Sequence, residues 1–147
     1  HGEHLFFVNS GGIEPRGIDA LAITVMKEKD IDISSYESQN IQDFVRDQHY
    51  SYIISLSNTA DQKAPIFPGV AYRLSWPMEN PASFNGSDEE KLHKYREIRD
   101  QIETKITSFI KEVEEKTSKG QEESMASLYY YDWQNMMTIV LTSVSYR

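Results

Sequence analysis

Between residues 92 and 113, Leu92, Tyr95, Ile98, Ile102, Ile106, Phe109, Ile110 and Val113 recur at steps of three and four. That spacing puts all of them on one face of a helix of about eight turns, with charges on the other face. A stripe that long cannot stay in water. It has to lie on something, and packing onto a sheet is the expected solution. Ser87, Asp88, Glu89 and Glu90 precede the stripe and mark the helix start, with the acids favoured by the positive end of the helix dipole.

Strand signals supply the sheet. "LFFVNS" (residues 5–10) is a short buried strand ending in the Gly11-Gly12 pair. The stretch that follows, residues 17–31, reads as a helix, with Asp19 as N-cap or first-turn acid and Leu21, Val25 and Met26 on one face. A short helix holds Ile41, Phe44 and Val45. "YSYIISLS" (50–57) and "AYRLSW" (71–76) are strands, separated by a loop that two prolines and a glycine demand. "MMTIVLTSV" (136–144) is a fourth strand, apolar enough to be buried on both faces. Residues 116–135 read as a linker whose aromatic "LYYYDWQN" is hard to place. Strands alternating with helices predict an α/β fold with a parallel sheet.

Composition narrows the function. The 147 residues suit one domain with one core. A formal net charge of −8 disfavours nucleic acid and anionic membranes as partners. No apolar run approaches the roughly 20 residues that cross a bilayer, and no signal peptide opens the chain, so a cytoplasmic protein is expected. With no cysteine, the chain offers no disulfide, no thiolate nucleophile and no cysteine metal site.

Four segments in order resemble one family. "VNSGGIEPRGIDALAITVMKEKDIDIS" is similar to the second strand and following helix of arsenate reductases built on the low-molecular-weight protein tyrosine phosphatase fold. "YIISLSNTADQKAPIFPG" resembles that family's third strand and redox loop. "LSWPMENPAS" resembles the strand and loop carrying its catalytic aspartate, and the long helix matches its C-terminal helix. The resemblance runs from residue 8 to about 115. It implies a three-layer α/β/α fold around a four-stranded parallel sheet.

The family begins with a strand, a phosphate-binding loop of the form Cys-x5-Arg and a helix. Here "LTSVSYR" (141–147) has that loop's length. Leu141 stands where the family has its nucleophile, Ser145 and Arg147 match, and Val144 departs from the usual asparagine. The resemblance therefore implies a circular permutation. Residues 1–115 form the core, 116–135 the linker, and 136–147 the relocated central strand with its remnant loop. The helix that should follow Arg147 is missing by roughly three turns.

The resemblance also implies what has changed. In the family a thiolate attacks phosphorus or arsenic, an aspartate protonates the leaving group, and two further cysteines carry the oxidising equivalent away. Those positions here are Leu141, Asn80, Ser57 and Ala64. A hydrocarbon cannot attack, and an amide has no proton to give at neutral pH. Such losses imply redesign or release from catalytic duty.

Three functions compete. The first is an inactive scaffold or interaction module whose vacant groove takes a partner helix or a second copy. The second is an oxyanion binder using Ser145 and Arg147 on phosphate or arsenate. The third is an enzyme with an unrecognised nucleophile. No cofactor is expected. His1 and His4 could suit a metal only with a third ligand that the sequence does not supply nearby, so no metal is expected either. Glu79 with Asp88 and Glu89 is better explained by a loop and a helix start than by paired catalytic carboxylates. Tyr129, Tyr130, Tyr131 and Trp133 are either a partner surface, or a cover over one end of the sheet or a disordered tail.

Overall fold

The computed structural model describes residues 6–14, 16–45, 50–58, 63, 65–70, 72–118 and 127–132. Its elements are β1 (Phe7–Gly12), α1 (Ala20–Lys27), β2 (Tyr52–Ser55), β3 (Tyr72–Ser75), α2 (Asp88–Ser118) and β4 (Ser127–Asp132). Two short 3-10 turns, Ile41–Phe44 and Pro81–Ser83, punctuate the connections. The strands form one sheet in the order β1-β4-β2-β3, and every neighbouring pair is parallel.

Strand periodicity divides the core. Successive side chains of a strand point to opposite faces. Tyr52 and Ile54 therefore join Val8 on one face, beneath Ala22 and Val25 of α1 and the α2 stripe. Ile53 points the other way and packs with Ile41, Tyr50 and Phe67. Tyr95, Ile98, Ile102, Ile106, Phe109 and Val113 are all buried, so the helical spacing becomes one continuous contact with the sheet. At about 1.5 Å per residue, the 31-residue α2 runs far past the four-residue strands it covers.

Local chemistry sets the helix starts. The Asp19 carboxylate accepts from Leu21 N at 2.8 Å and Ala22 N at 3.3 Å, satisfying amides that α1 cannot bond internally. Ser87 and Glu90 form a reciprocal box. Glu90 Oε2 accepts from Ser87 N at 2.7 Å, and Ser87 Oγ accepts from Glu90 N at 3.3 Å. Asp19 also accepts from the hydroxyl of buried Tyr95 on α2. Burial first, then the charge and hydrogen bond of Asp19, push that phenol above its ordinary value. Asp19→Ala removes both the cap and the partner of Tyr95. A loss of about 1–2 kcal/mol is expected, read as a lower urea midpoint at unchanged slope.

The sheet departs from the sequence expectation at its centre. The place between β1 and β2, expected for residues 136–144, is held by Ser127–Asp132. Tyrosine is a good strand former, and the run from Leu128 to Tyr131 uses that propensity. Residues 136–144 themselves lie outside the described residues. The expected linker over 116–135 is correspondingly interrupted, because α2 continues to Ser118 and β4 begins at Ser127. β1 also runs two residues later than expected, through the glycine pair that read as its end. Glycine suits position 11, since a Cβ would meet Ile41 Cα at 3.0 Å and Ile41 N at 3.1 Å, closer than side chains usually sit to backbone.

The α/β class stands, but the two faces are unequal. Both described α-helices cover the first face. Among the described residues the second face carries the 3-10 turn at Ile41–Phe44 and the segment around Phe67, with no α-helix.

Candidate active site at the carboxyl edge of the sheet

All strands run the same way, so their carboxyl ends line one rim. In open α/β sheets ligands bind in the crevice at that rim. Five segments build it here. β1 delivers Ser10, Gly11 and Gly12, and Gly12 N donates to Gln39 O at 2.9 Å. Asn40 bridges Gly12 and caps the next turn, its Oδ1 accepting from Gln42 N at 2.9 Å. β2 delivers Ser55, Leu56 and Ser57. β3 passes through Trp76 into the loop at Met78, whose N–H donates to Leu56 O at 2.9 Å. β4 ends at Asp132, in register with Gly12.

The Met78–Leu56 bond brings the segment after β2 against the segment after β3. Ser57 and Asn80 belong to these two segments, and both are half-buried. Asn80 is committed structurally. Its Oδ1 accepts from Ala82 N at 3.0 Å and caps the turn Pro81–Ser83, with Pro81 preset for the first turn position. Next to it, Glu79 bonds Lys94 at 2.6 Å, and this partner raises the Lys94 ammonium above its ordinary value. Ala64, Leu141, Ser145 and Arg147 lie outside the described residues, as do His1, His4 and Trp133. Side-chain roles for Tyr129, Tyr130 and Tyr131 are not described either, but their backbone belongs to β4.

Sequence reasoning missed the buried serines. Ser10 and Ser55 are 6% and 2% exposed, and Ser55 Oγ donates to Leu74 O at 3.4 Å. Strand alternation could have placed Ser10 inward after Phe6 and Val8, whereas Ser55 follows Ile53 on the second face of a strand buried on both sides. Also missed was Asn9, whose side-chain amide donates to the Tyr50 hydroxyl at 3.5 Å on the second face.

A separate open hollow of about 560 Å³ runs along α2, past Arg96, Arg99, Asp100 and Thr104. Its charges are committed to one another and to the end of α1. The Glu28 carboxylate is held below the usual carboxylate range, first by the hydrogen bond from Arg96 and then by Arg99. Lys29 bonds Glu103 at 2.7 Å. This is a clamp between helices, not a receptor for a ligand.

Among the described residues no group of three His, Asp or Glu side chains could hold a metal ion. None of the described helices is long and apolar enough to cross a membrane.

No protein-family profile matches the chain. Curated relatives do. An arsenate reductase of Oceanobacillus iheyensis is 35% identical over 104 residues, covering 71% of this chain and 74% of that protein. One from Halalkalibacterium halodurans is 35% identical over 102 residues, covering 69% and 73%. The arsenate reductase of Bacillus subtilis is 32% identical over 102 residues, again 69% and 73%. The chain belongs to the arsenate reductase family built on the low-molecular-weight phosphatase fold.

Proposed function

We propose that this chain is a non-catalytic member of its family, acting as a scaffold or interaction module in the cytoplasm. The observation that carries the reading is chemical: none of its 147 residues is a cysteine, while arsenate reduction in this family runs through thiols. The second support is Asn80. At the position where the resemblance puts the leaving-group acid stands an amide, and its oxygen is spent on the Ala82 N–H.

We read the sheet as a permuted family sheet, in which the strand between β1 and β2 comes from a segment that follows α2. The sheet order β1-β4-β2-β3 supports this reading. The face that carries only a 3-10 turn and a loop among the described residues supports the interaction role. On this reading it takes a partner helix or a second copy.

The decisive experiment is turnover of p-nitrophenyl phosphate, and of arsenate with a dithiol reductant. No rate above the buffer blank is expected. Turnover abolished by changing one residue of this chain would overturn the reading. Calorimetry with phosphate, arsenate and sulfate in the same buffers addresses the oxyanion binder. Heat of binding lost in Arg147→Ala would move the assignment to a binding protein. Light scattering should show an oligomer or a complex, and a strict monomer without exposed-surface dye binding would count against the interaction role.

A further inference from the structure

The sheet order ends on β3, and among the described residues no strand pairs with its outer edge. Tyr72 N and Trp76 N donate to Ser51 O and Ser55 O, each at 2.8 Å. A strand's backbone groups alternate sides, so Arg73 and Ser75 turn their N–H and C=O away from β2. Beside this outer edge stand aromatic rings and cations. Tyr72 is 37% exposed and stacks on Tyr52 at 4.9 Å. Lys116 Nζ sits 5.8 Å from the Tyr72 ring centroid, and Lys105 Nζ sits 5.9 Å from that of Trp76.

Neither lysine pairs with a carboxylate among the described residues, whereas Lys29, Lys94 and Lys111 all do. Both ammonium groups lie over aromatic rings of β3 and its exit, and neither is tied to a carboxylate among the described residues, so each can still meet an acidic partner. Their spacing fits an extended ligand. Eleven helical residues separate them by about 16 Å. Side chains four apart on one face of a strand lie about 13 Å apart, within reach of two flexible lysine stems.

We propose that the outer edge of β3 accepts an extended acidic segment of a partner protein as an added strand. Main-chain bonds go to Arg73 and Ser75. Two carboxylates four residues apart meet Lys105 and Lys116, and an apolar residue midway lies beside Leu74. This inference does not depend on whether the chain is catalytic.

The test uses the full chain and fluorescent peptides read by anisotropy. The probe is acetylated Glu-Thr-Val-Thr-Glu. Its controls are Lys-Thr-Val-Thr-Lys and the acidic peptide N-methylated on alternate amides. The acidic probe should bind about tenfold or more tightly than the lysine peptide, and less tightly as salt rises. The doubly substituted Lys105→Glu, Lys116→Glu protein, with unchanged circular dichroism, should lose that preference, and Ser75→Pro should weaken binding of the same probe. Equal binding of the N-methylated peptide would overturn strand addition. No binding of either charged peptide would leave the lysines as guards against edge-to-edge association and overturn the proposal. Self-association abolished by the double substitution, seen by sedimentation velocity, would overturn it in favour of a second copy.

Discussion

Tyr130→Pro is expected to remove a large share of the protein's folding stability. β4 lies between β1 and β2, with Tyr130 in register with Ser10 on one side and Ile54 on the other. A central strand uses both of its edges, so proline there removes a ladder donor and forces its ring against a neighbour. The cost is on the order of 3–5 kcal/mol, a large share of the 5–15 kcal/mol that holds a typical domain together. Far-ultraviolet circular dichroism and urea titration measure it. Ile139→Pro is the informative companion, because residues 136–144 are the other candidate for the central place. An unfolded Ile139→Pro beside a stable Tyr130→Pro would move the central strand to that segment.

Arg99→Ala is expected to cost about 3 kcal/mol and to loosen the junction of α1 with α2. Arg99 is 9% exposed, and its Nη1 donates to Val25 O at 2.7 Å. That carbonyl lies in the last turn of α1, at the negative end of the helix dipole, where a cation is favoured. Nε of the same side chain donates to Asp100 at 2.8 Å, and Nη1 reaches Glu28 at 3.0 Å. Deleting the guanidinium leaves the carbonyl buried without its donor and opens a gap beside Val25. Lowered urea midpoints and faster amide exchange at the end of α1 should report it. Arg99→Met should recover part of the packing and none of the hydrogen bonding.

The same cluster has a pH signature. The hydrogen bond from Arg99 holds the Asp100 carboxyl below its ordinary value, and Arg96 does so for Glu28. Both carboxylates are more acidic in the folded protein than in the unfolded chain. Their contribution is therefore present in full above about pH 5 and is lost as the pH falls below about 4. Arg99→Ala should accordingly flatten the acid limb of the stability profile.

Much of the fold was legible because its signals are local. The α2 stripe, the Asp19 cap and the Ser87–Glu90 box each announce themselves within a few residues. β4 was not legible. Parallel central strands usually read as aliphatic runs. "SLYYYD" does not, and the more aliphatic 136–144 drew the assignment away. Gly11 and Gly12 looked like a turn because what crowds Gly11, the crossing backbone of Ile41, lies 30 residues further on. Arg99 was invisible for a related cause: it sits one step beside Ile98 on a charged helix, and only the end of α1 makes it a buried residue. At the site, family resemblance picked out Asn80, but its task as a cap comes from the Asn-Pro pair itself. The positions 64, 141, 145 and 147 lie outside the described residues.

The sheet order has a consequence for how the chain comes together. Phe7 is in register with Ser127, and Tyr52 with Leu128. As the polypeptide leaves a ribosome, β1 and β2 have no shared neighbour until β3 and α2 have been made. Each then waits with a bare hydrogen-bonding edge, while α2 can already form and shield the apolar side of β2 and β3. Closing the gap requires contacts between the remotest parts of the described chain, the slowest kind to search for. Premature termination before residue 127 should therefore release a helical but sticky product, prone to pairing β1 with whatever strand it meets first.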